Sequence, residues 1–209
     1  MINMSNNNLF IVTAPSGSGK SSLIKALLND NESITFSISY TTRKPRFGEK
    51  NGIDYHFVSV EDFLKMRNNN EFIEWAKVHS NFYGTHKSVI NNKTIKDTDF
   101  IIEIDCQGSD QIKNCYPNAI RIFILPPSIE ELRNRLILRN LDSMEVIEKR
   151  LSEAKNEIMR SSDYDYVIIN SDFNLARSDM NHIIKSTKLR FQYQYFKNKN
   201  LFNKLGITN

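Results

Sequence analysis

Four stretches of the chain are apolar with almost no polar interruption: Leu9-Phe10-Ile11-Val12, Phe100 to Asp105, Ile120 to Leu125 and Tyr166 to Asn170. Short unbroken apolar runs predict strands covered on both faces, as in a parallel sheet. Between and after them, apolar positions recur at helical spacing. Leu23, Ile24, Leu27 and Leu28 share one helix face, and further helices are predicted over Ile129 to Leu138, Met144 to Met159 and Leu175 to about Tyr195. Strand and helix in alternation predict an α/β fold built on a parallel sheet.

The texture changes between residues 34 and 90. Ile34 to Ser39 and Tyr55 to Val58 are short and β-like, and Thr41 to Gly52 is a basic loop with Pro45, Gly48 and Gly52. Glu61 to Asn69 predicts a short helix. Phe72 to His79 and Phe82 to Thr85 predict a hairpin over Ser80-Asn81. This pattern marks an α+β insertion over residues 34–97 rather than another strand–helix–strand turn. The core is then expected from 8–33, 98–138 and 151–209. An irregular charged zone around Arg139 to Ser143 opens a connecting segment over 139–150.

Composition adds bounds. The 209 residues fit one domain, 1–209, with 40% hydrophobic and 25% charged residues, inside the globular range. A chain of this size buries roughly 70% of its unfolded surface, so a core needs no staples. The net charge of +4 permits an anionic partner without choosing among nucleic acid, nucleotide and membrane. Cys106 and Cys115 are the only cysteines, which excludes a disulfide framework and a cysteine-based zinc site. His56, His79, His86 and His182 show no metal spacing. No apolar run approaches the roughly 18 residues of a membrane span. The polar, Asn-rich start lacks a secretory pattern, so a reducing, cytoplasmic setting is expected.

Chemistry enters at Ala14-Pro15-Ser16-Gly17-Ser18-Gly19-Lys20-Ser21-Ser22, directly after the first strand and opening the first helix. Glycines let the backbone fold so that several N–H groups point inward, and the helix adds the positive end of its dipole. Lys20 reaches the β- and γ-phosphates of a nucleotide, and the Ser21 hydroxyl ligates Mg²⁺. The segment departs from G-x-x-x-x-G-K-[ST] only at Ala14. A surface turn is the alternative, but the flanking strand and helix supply the context of a phosphate loop. The second substrate stays open at this point.

Ser37 to Arg46, Gly48-Glu49, Gly52 to Phe57, Glu71 to Ala76, Tyr83-Gly84-Thr85 and Glu103 to Gly108 resemble, in order, the substrate-binding region of guanylate kinases. The resemblance covers about residues 9 to 170. It implies a P-loop kinase core with an inserted GMP-binding subdomain and a helical lid. It also implies Mg²⁺-dependent transfer of a phosphoryl group from ATP to GMP, with dGMP use and oligomeric state left open. Glu74 is implied as the reader of guanine, with Ser39, Thr85 and Asp105 around the base. The chemistry is coherent. A carboxylate accepts from guanine N1–H and N2–H₂ together, whereas the unprotonated N1 of adenine repels it. Arg43 and Arg46 offer charged forks to the GMP phosphate, and Tyr55 and Tyr83 neutral donors. A solvated basic loop and packed strand aromatics are the alternatives.

Asp105 is expected to end the second strand beside the phosphate loop and to orient Mg²⁺ with Ser21, with Glu103 in support. The resemblance matches Arg135, Arg139 and Arg150 to lid arginines that clamp the moving phosphoryl group. Arg133 stands in the same run, and a salt-bridged surface helix is the alternative reading. Asn170 matches a position near the adenine of ATP. At Asn140-Leu141-Asp142-Ser143 the chain departs from the usual glycine and threonine. The basic and aromatic residues of Lys185 to Lys204 read as a terminal helix covering the sheet rather than a nucleic-acid surface. A non-catalytic interaction module of the same scaffold is disfavoured because Gly19-Lys20-Ser21 is intact. An RNA-binding protein using the basic loop and tail is the third reading.

Overall fold

The structure, a computed structural model, describes residues 7–78, 80–91, 98–138 and 143–207. In chain order its elements are β1 (Leu9–Thr13), α1 (Lys20–Asp30), β2 (Ile34–Ser37), β3 (Tyr40–Thr41), β4 (His56–Phe57), α2 (Val60–Asn68), β5 (Phe72–Val78), β6 (Asn81–His86) and α3 (Ser88–Asn91). They continue with β7 (Asp99–Glu103), α4 (Cys106–Cys115), β8 (Ile120–Leu125), α5 (Ile129–Leu138), α6 (Met144–Met159), β9 (Tyr166–Ile169), α7 (Phe173–Thr187), α8 (Phe191–Lys197) and α9 (Lys199–Lys204).

Five strands form one sheet in the order β2-β7-β1-β8-β9, every neighbouring pair parallel. The two-residue period of β1 divides its side chains between two cores. Phe10 and Val12 pack with Leu23, Ile24 and Leu27 of α1 and with Ala176, Met180 and Ile184 of α7. Leu9 and Ile11 face the other way, with Phe100, Ile102 and Ile112. Both faces of β1 are therefore dry, which explains its unbroken apolar run, whereas β9 at the sheet edge is covered on one face only, with Val167 and Ile169 exposed. A third cluster joins α5 and α6 through Leu132, Leu136, Ile147, Leu151 and Ala154.

The insertion forms a second sheet, β4-β3-β6-β5, with the β5/β6 hairpin antiparallel as predicted. Ser80 takes φ 69° at its turn. Phe63 of α2 is fully buried and stacks on Phe72 and Phe82, tying helix to hairpin.

Three expectations are corrected. Residues 34–37, assigned to the insertion, pair with β7 and form an edge of the parallel sheet, with Ile34 in the main core. The insertion's own sheet begins only at Tyr40. The second strand ends at Glu103, and Asp105 is instead the N-cap of α4, its carboxylate accepting from Gly108 N at 2.8 Å. The single C-terminal helix is three. Leu189 N and Arg190 N donate three residues back, and Arg190 turns extended at ψ 144° before α8 begins. Phe191, Tyr195 and Phe202 then pack edge and face, with Tyr195 buried.

Candidate active site

A cleft of about 280 Å³ opens at the carboxyl ends of β1 and β7, where parallel α/β sheets place their ligands. One wall is the phosphate loop: Ala14, Pro15, Ser16, Gly17, Gly19, Lys20 and Ser21. Gly17 and Gly19 adopt φ 97° and 88°, conformations that need glycine, and Ser18 N closes the turn on Pro15 O at 3.1 Å. Ala14 has no such φ, so the departure from glycine there brings no backbone strain. Ser18 is fully buried, and its carbonyl accepts from Asn170 Nδ2 at 2.7 Å. Asn170, itself 4% exposed, thus braces the loop from behind. A Cβ at Gly19 would lie 2.4 Å from that same amide nitrogen. Ser22 is exposed on α1.

Lys20 Nζ lies 3.4 Å from Ile104 O and 3.7 Å from Glu103 Oε1, while Ser21 Oγ donates to the same Glu103 oxygen at 2.8 Å. Glu103, not Asp105, is therefore the carboxylate that meets the phosphate loop.

The opposite wall comes from the insertion. Glu74 on β5 is 3% exposed, and its Oε1 accepts from the fully buried Thr85 Oγ1 at 2.6 Å. Burial pushes the Glu74 carboxyl up to about 7, the nearby Asp105 charge acting in the same direction and the Thr85 hydroxyl opposing it. Ser39 (buried), Tyr83 and Tyr55 complete this end of the cleft. Burial, helped by Glu103, raises the Tyr55 phenol to about 12, so it stays a neutral donor.

Arg46 lines the cleft from the basic loop. Arg43 sits just behind, its guanidinium 5.3 Å over the Tyr55 ring and forked onto Glu49 at 2.8 and 2.9 Å. Glu49 also accepts from the Arg46 backbone at 2.7 Å, so one carboxylate fixes both arginine positions. Burial opposes both charges, but the pairing prevails: Arg43 is raised and Glu49 lowered.

A family model described as guanylate kinase matches residues 6–187. A curated guanylate kinase of Mannheimia succiniciproducens is 49% identical over 205 residues, covering 97% of this chain and 99% of the relative. One from Bordetella pertussis is 48% identical over 200 residues, covering 96% and 93%. The crystal structure of guanylate kinase from Anaplasma phagocytophilum matches with a TM-score of 0.77 at 32% identity, covering 98% of each chain. The chain belongs to the guanylate kinase family. Its activity is the transfer of a phosphoryl group from ATP to GMP, giving ADP and GDP.

Of the residues expected in a guanylate kinase site, the cleft brings together the phosphate loop, Ser39, Arg46, Tyr55, Glu74, Tyr83, Asp105 and Arg150. Thr85 and Arg43 stand directly behind Glu74 and Tyr55. Arg135 is held away from the cleft lining, its Nε donating to Glu131 at 2.8 Å and its Nη2 to Asn170 O at 3.2 Å. Arg133 pairs with Glu148 across α5 and α6, as a surface ion pair. Arg139 and the 140–142 stretch lie outside the described residues, as does His79.

Sequence reasoning missed Glu157. It lies two turns beyond Arg150 on α6 and enters the same cleft, where burial raises its carboxyl to about 7 against the pull of Lys20. The seven-residue spacing from Arg150 was the available signal. Glu49 was visible only as part of a motif; its pairing with Arg43 is a loop contact that no periodicity announces.

Proposed function

We propose that the two walls of the cleft hold the two nucleotides, GMP against the insertion and the phosphates of ATP against residues 14–22. The supporting observation is Glu74: a carboxylate 3% exposed, kept in the cleft by Thr85, with a phosphate loop lining the same cavity. A buried carboxylate is costly unless it meets donors, and guanine N1–H and N2–H₂ are two adjacent donors. Ser39, Thr85 and Asp105 complete the base pocket. Arg43, Arg46, Tyr55 and Tyr83 take the GMP phosphate.

Oxygen donors beside Lys20, namely Ser21 and Glu103 at 2.8 Å from each other, suit a hard cation. Among the described residues no group of three or more metal-ligating side chains gathers, which fits an ion carried largely by ATP phosphates. Mg²⁺ is therefore assigned to Ser21 with Glu103. Asp105, whose Oδ1 caps α4, is left beside the base. Bound there, Mg²⁺ supplies charge neutralisation of the β- and γ-phosphates.

A GMP phosphate oxygen attacks the γ-phosphorus in line; the bond to the β-γ bridging oxygen breaks and ADP leaves. The attacking oxygen is already anionic, so no general base is required. Lys20 follows the β- and γ-phosphates, while Arg150 in the cleft neutralises charge spreading over the moving group, joined on closure by Arg139 and by Arg135 turning from Glu131 and Asn170 O. Asn170 serves ATP by holding the loop backbone. Closure of the 139–150 lid and of the insertion excludes water, which otherwise would take the phosphoryl group. No described helix is long and apolar enough to cross a membrane; a cytoplasmic setting is part of this reading.

The test is ADP release with GMP, dGMP, AMP, CMP and UMP at saturating ATP. Turnover confined to the guanine nucleotides supports the reading. Comparable turnover with AMP removes Glu74 from its role.

A further inference from the structure

Glu74 is one residue of an edge strand, and something must keep its carboxylate on line. Helix α4 packs across β5 at this point, and two of its residues, one turn apart, meet Glu74 and Trp75. The first is Gly108. A Cβ at that position would lie 2.7 Å from Glu74 Oε2, 3.2 Å from its Cδ and 3.4 Å from Asp105 Oδ1. Glycine inside a helix costs about 1 kcal/mol against alanine, yet Gly108 has no positive φ that demands it. Room for the carboxylate is what the position supplies. The second is Gln111. Its Nε2 donates to Trp75 O at 2.9 Å and its Oε1 accepts from Trp75 N at 3.3 Å, filling the free backbone edge of β5 beside Glu74.

We infer that Gly108 and Gln111 are positioning residues for base specificity, α4 acting as the back-plate that sets where the Glu74 carboxylate meets guanine. This rests on the reading that Glu74 contacts the base. Thr85 fixes Oε1 from one side. Gly108 leaves the space that Oε2 occupies on the other, and Gln111 locks the strand register between them. A methyl at position 108 displaces Oε2 from that space and moves the carboxylate off its present line toward the cleft.

The experiment measures KM for GMP and ATP, the GMP:AMP ratio of kcat/KM, and melting temperature for Gly108→Ala, Gln111→Ala, Glu74→Gln, Glu74→Asp and the double variant Gly108→Ala/Glu74→Asp. Losing one charge-assisted hydrogen bond is worth about tenfold. Gly108→Ala should therefore raise KM for GMP about tenfold or more and narrow the GMP:AMP ratio similarly, with KM for ATP changed less than about twofold. Gln111→Ala should shift the same two quantities by roughly threefold or more. In the double variant the shorter carboxylate clears the methyl. There Gly108→Ala should cost less than about threefold beyond Glu74→Asp alone, a non-additivity that a merely structural defect does not produce.

Equal increases in KM for GMP and ATP, or an unchanged GMP:AMP ratio in Gly108→Ala, overturn the inference. If Gly108→Ala does not fold, Gln111→Ala decides: a preserved GMP:AMP ratio there also overturns it. Glu74→Gln separates the two levels. A ratio untouched by Glu74→Gln rejects the base-reading itself, whereas a ratio collapsed by Glu74→Gln and preserved in Gly108→Ala rejects only the role of α4.

Discussion

Replacing Glu74 with glutamine should make the unliganded protein more stable above neutral pH while impairing its recognition of guanine. Burial moves the Glu74 carboxyl from 4.5 to about 7. The folded state therefore holds a proton that the unfolded state releases between those values. Stability supplied by this group is fully present below pH 4.5, falls as pH rises through that window and is gone above about pH 7. At about 1.4 kcal/mol per pH interval of displacement, the penalty of the ionised carboxylate approaches about 3 kcal/mol. Glutamine keeps the shape and can still accept from Thr85 Oγ1, but it never ionises. Denaturant midpoints for the wild type and Glu74→Gln, measured from pH 5 to pH 8, should converge at low pH and separate with rising pH. For a chain of this size that separation corresponds to about 6–12 °C in Tm. Glu157 carries a similar displacement but is common to both proteins and cancels in the difference. A wild type minus variant difference that is flat across pH 5 to 8 refutes the reasoning, because it means the carboxylate is not desolvated.

The same displacement predicts that KM for GMP is higher at pH 6 than at pH 8, since only the ionised carboxylate accepts from both guanine donors. GMP binding near pH 6 should also release protons, seen as a buffer-dependent enthalpy in calorimetry; proton uptake contradicts it. Lys20→Ala should lower kcat by orders of magnitude with an unchanged far-UV spectrum and melting temperature, and near-normal turnover contradicts its assignment. Asn170→Ala leaves the buried Ser18 carbonyl without its donor, which should cost about 1–3 kcal/mol of stability and raise KM for ATP more than KM for GMP. Equal KM effects contradict the bracing role.

Sequence pattern made the core legible wherever it was local. β1 and β7 were found because both of their faces are covered, and β8 because only Arg121 interrupts its apolar run; β9 was found by its apolar run alone, since at the sheet edge its Val167 and Ile169 are exposed. Helices α5 and α6 run over the residues their apolar spacing marks out, and at their starts Ser128 and Ser143 Oγ accept from Glu131 N and Val146 N. β2 was misplaced because its partner β7 lies far along the chain, and nothing in Ile34 to Ser37 says which sheet it joins. The break after Thr187 carries no glycine or proline; it is made by main-chain bonds that only the folded chain reveals. In the site, the phosphate loop is contiguous and was legible by chemistry alone. Glu74 became a candidate only through family resemblance, since alternation with Phe72 and Trp75 reads equally as an exposed charge. Its burial, its Thr85 partner and the space left by Gly108 are tertiary facts, as is Glu103, rather than Asp105, meeting Ser21.

The central claim is that a buried carboxylate in the insertion chooses guanine for the phosphate loop opposite. Its most direct test is the GMP:AMP ratio of kcat/KM, measured by ADP release at saturating ATP for the wild type and Glu74→Gln. Glutamine offers one acceptor where guanine presents two donors and turns its own N–H₂ toward the other. The ratio should then fall by about 10²-fold or more, chiefly through KM for GMP. An unchanged ratio, with the variant folded and active, contradicts the account.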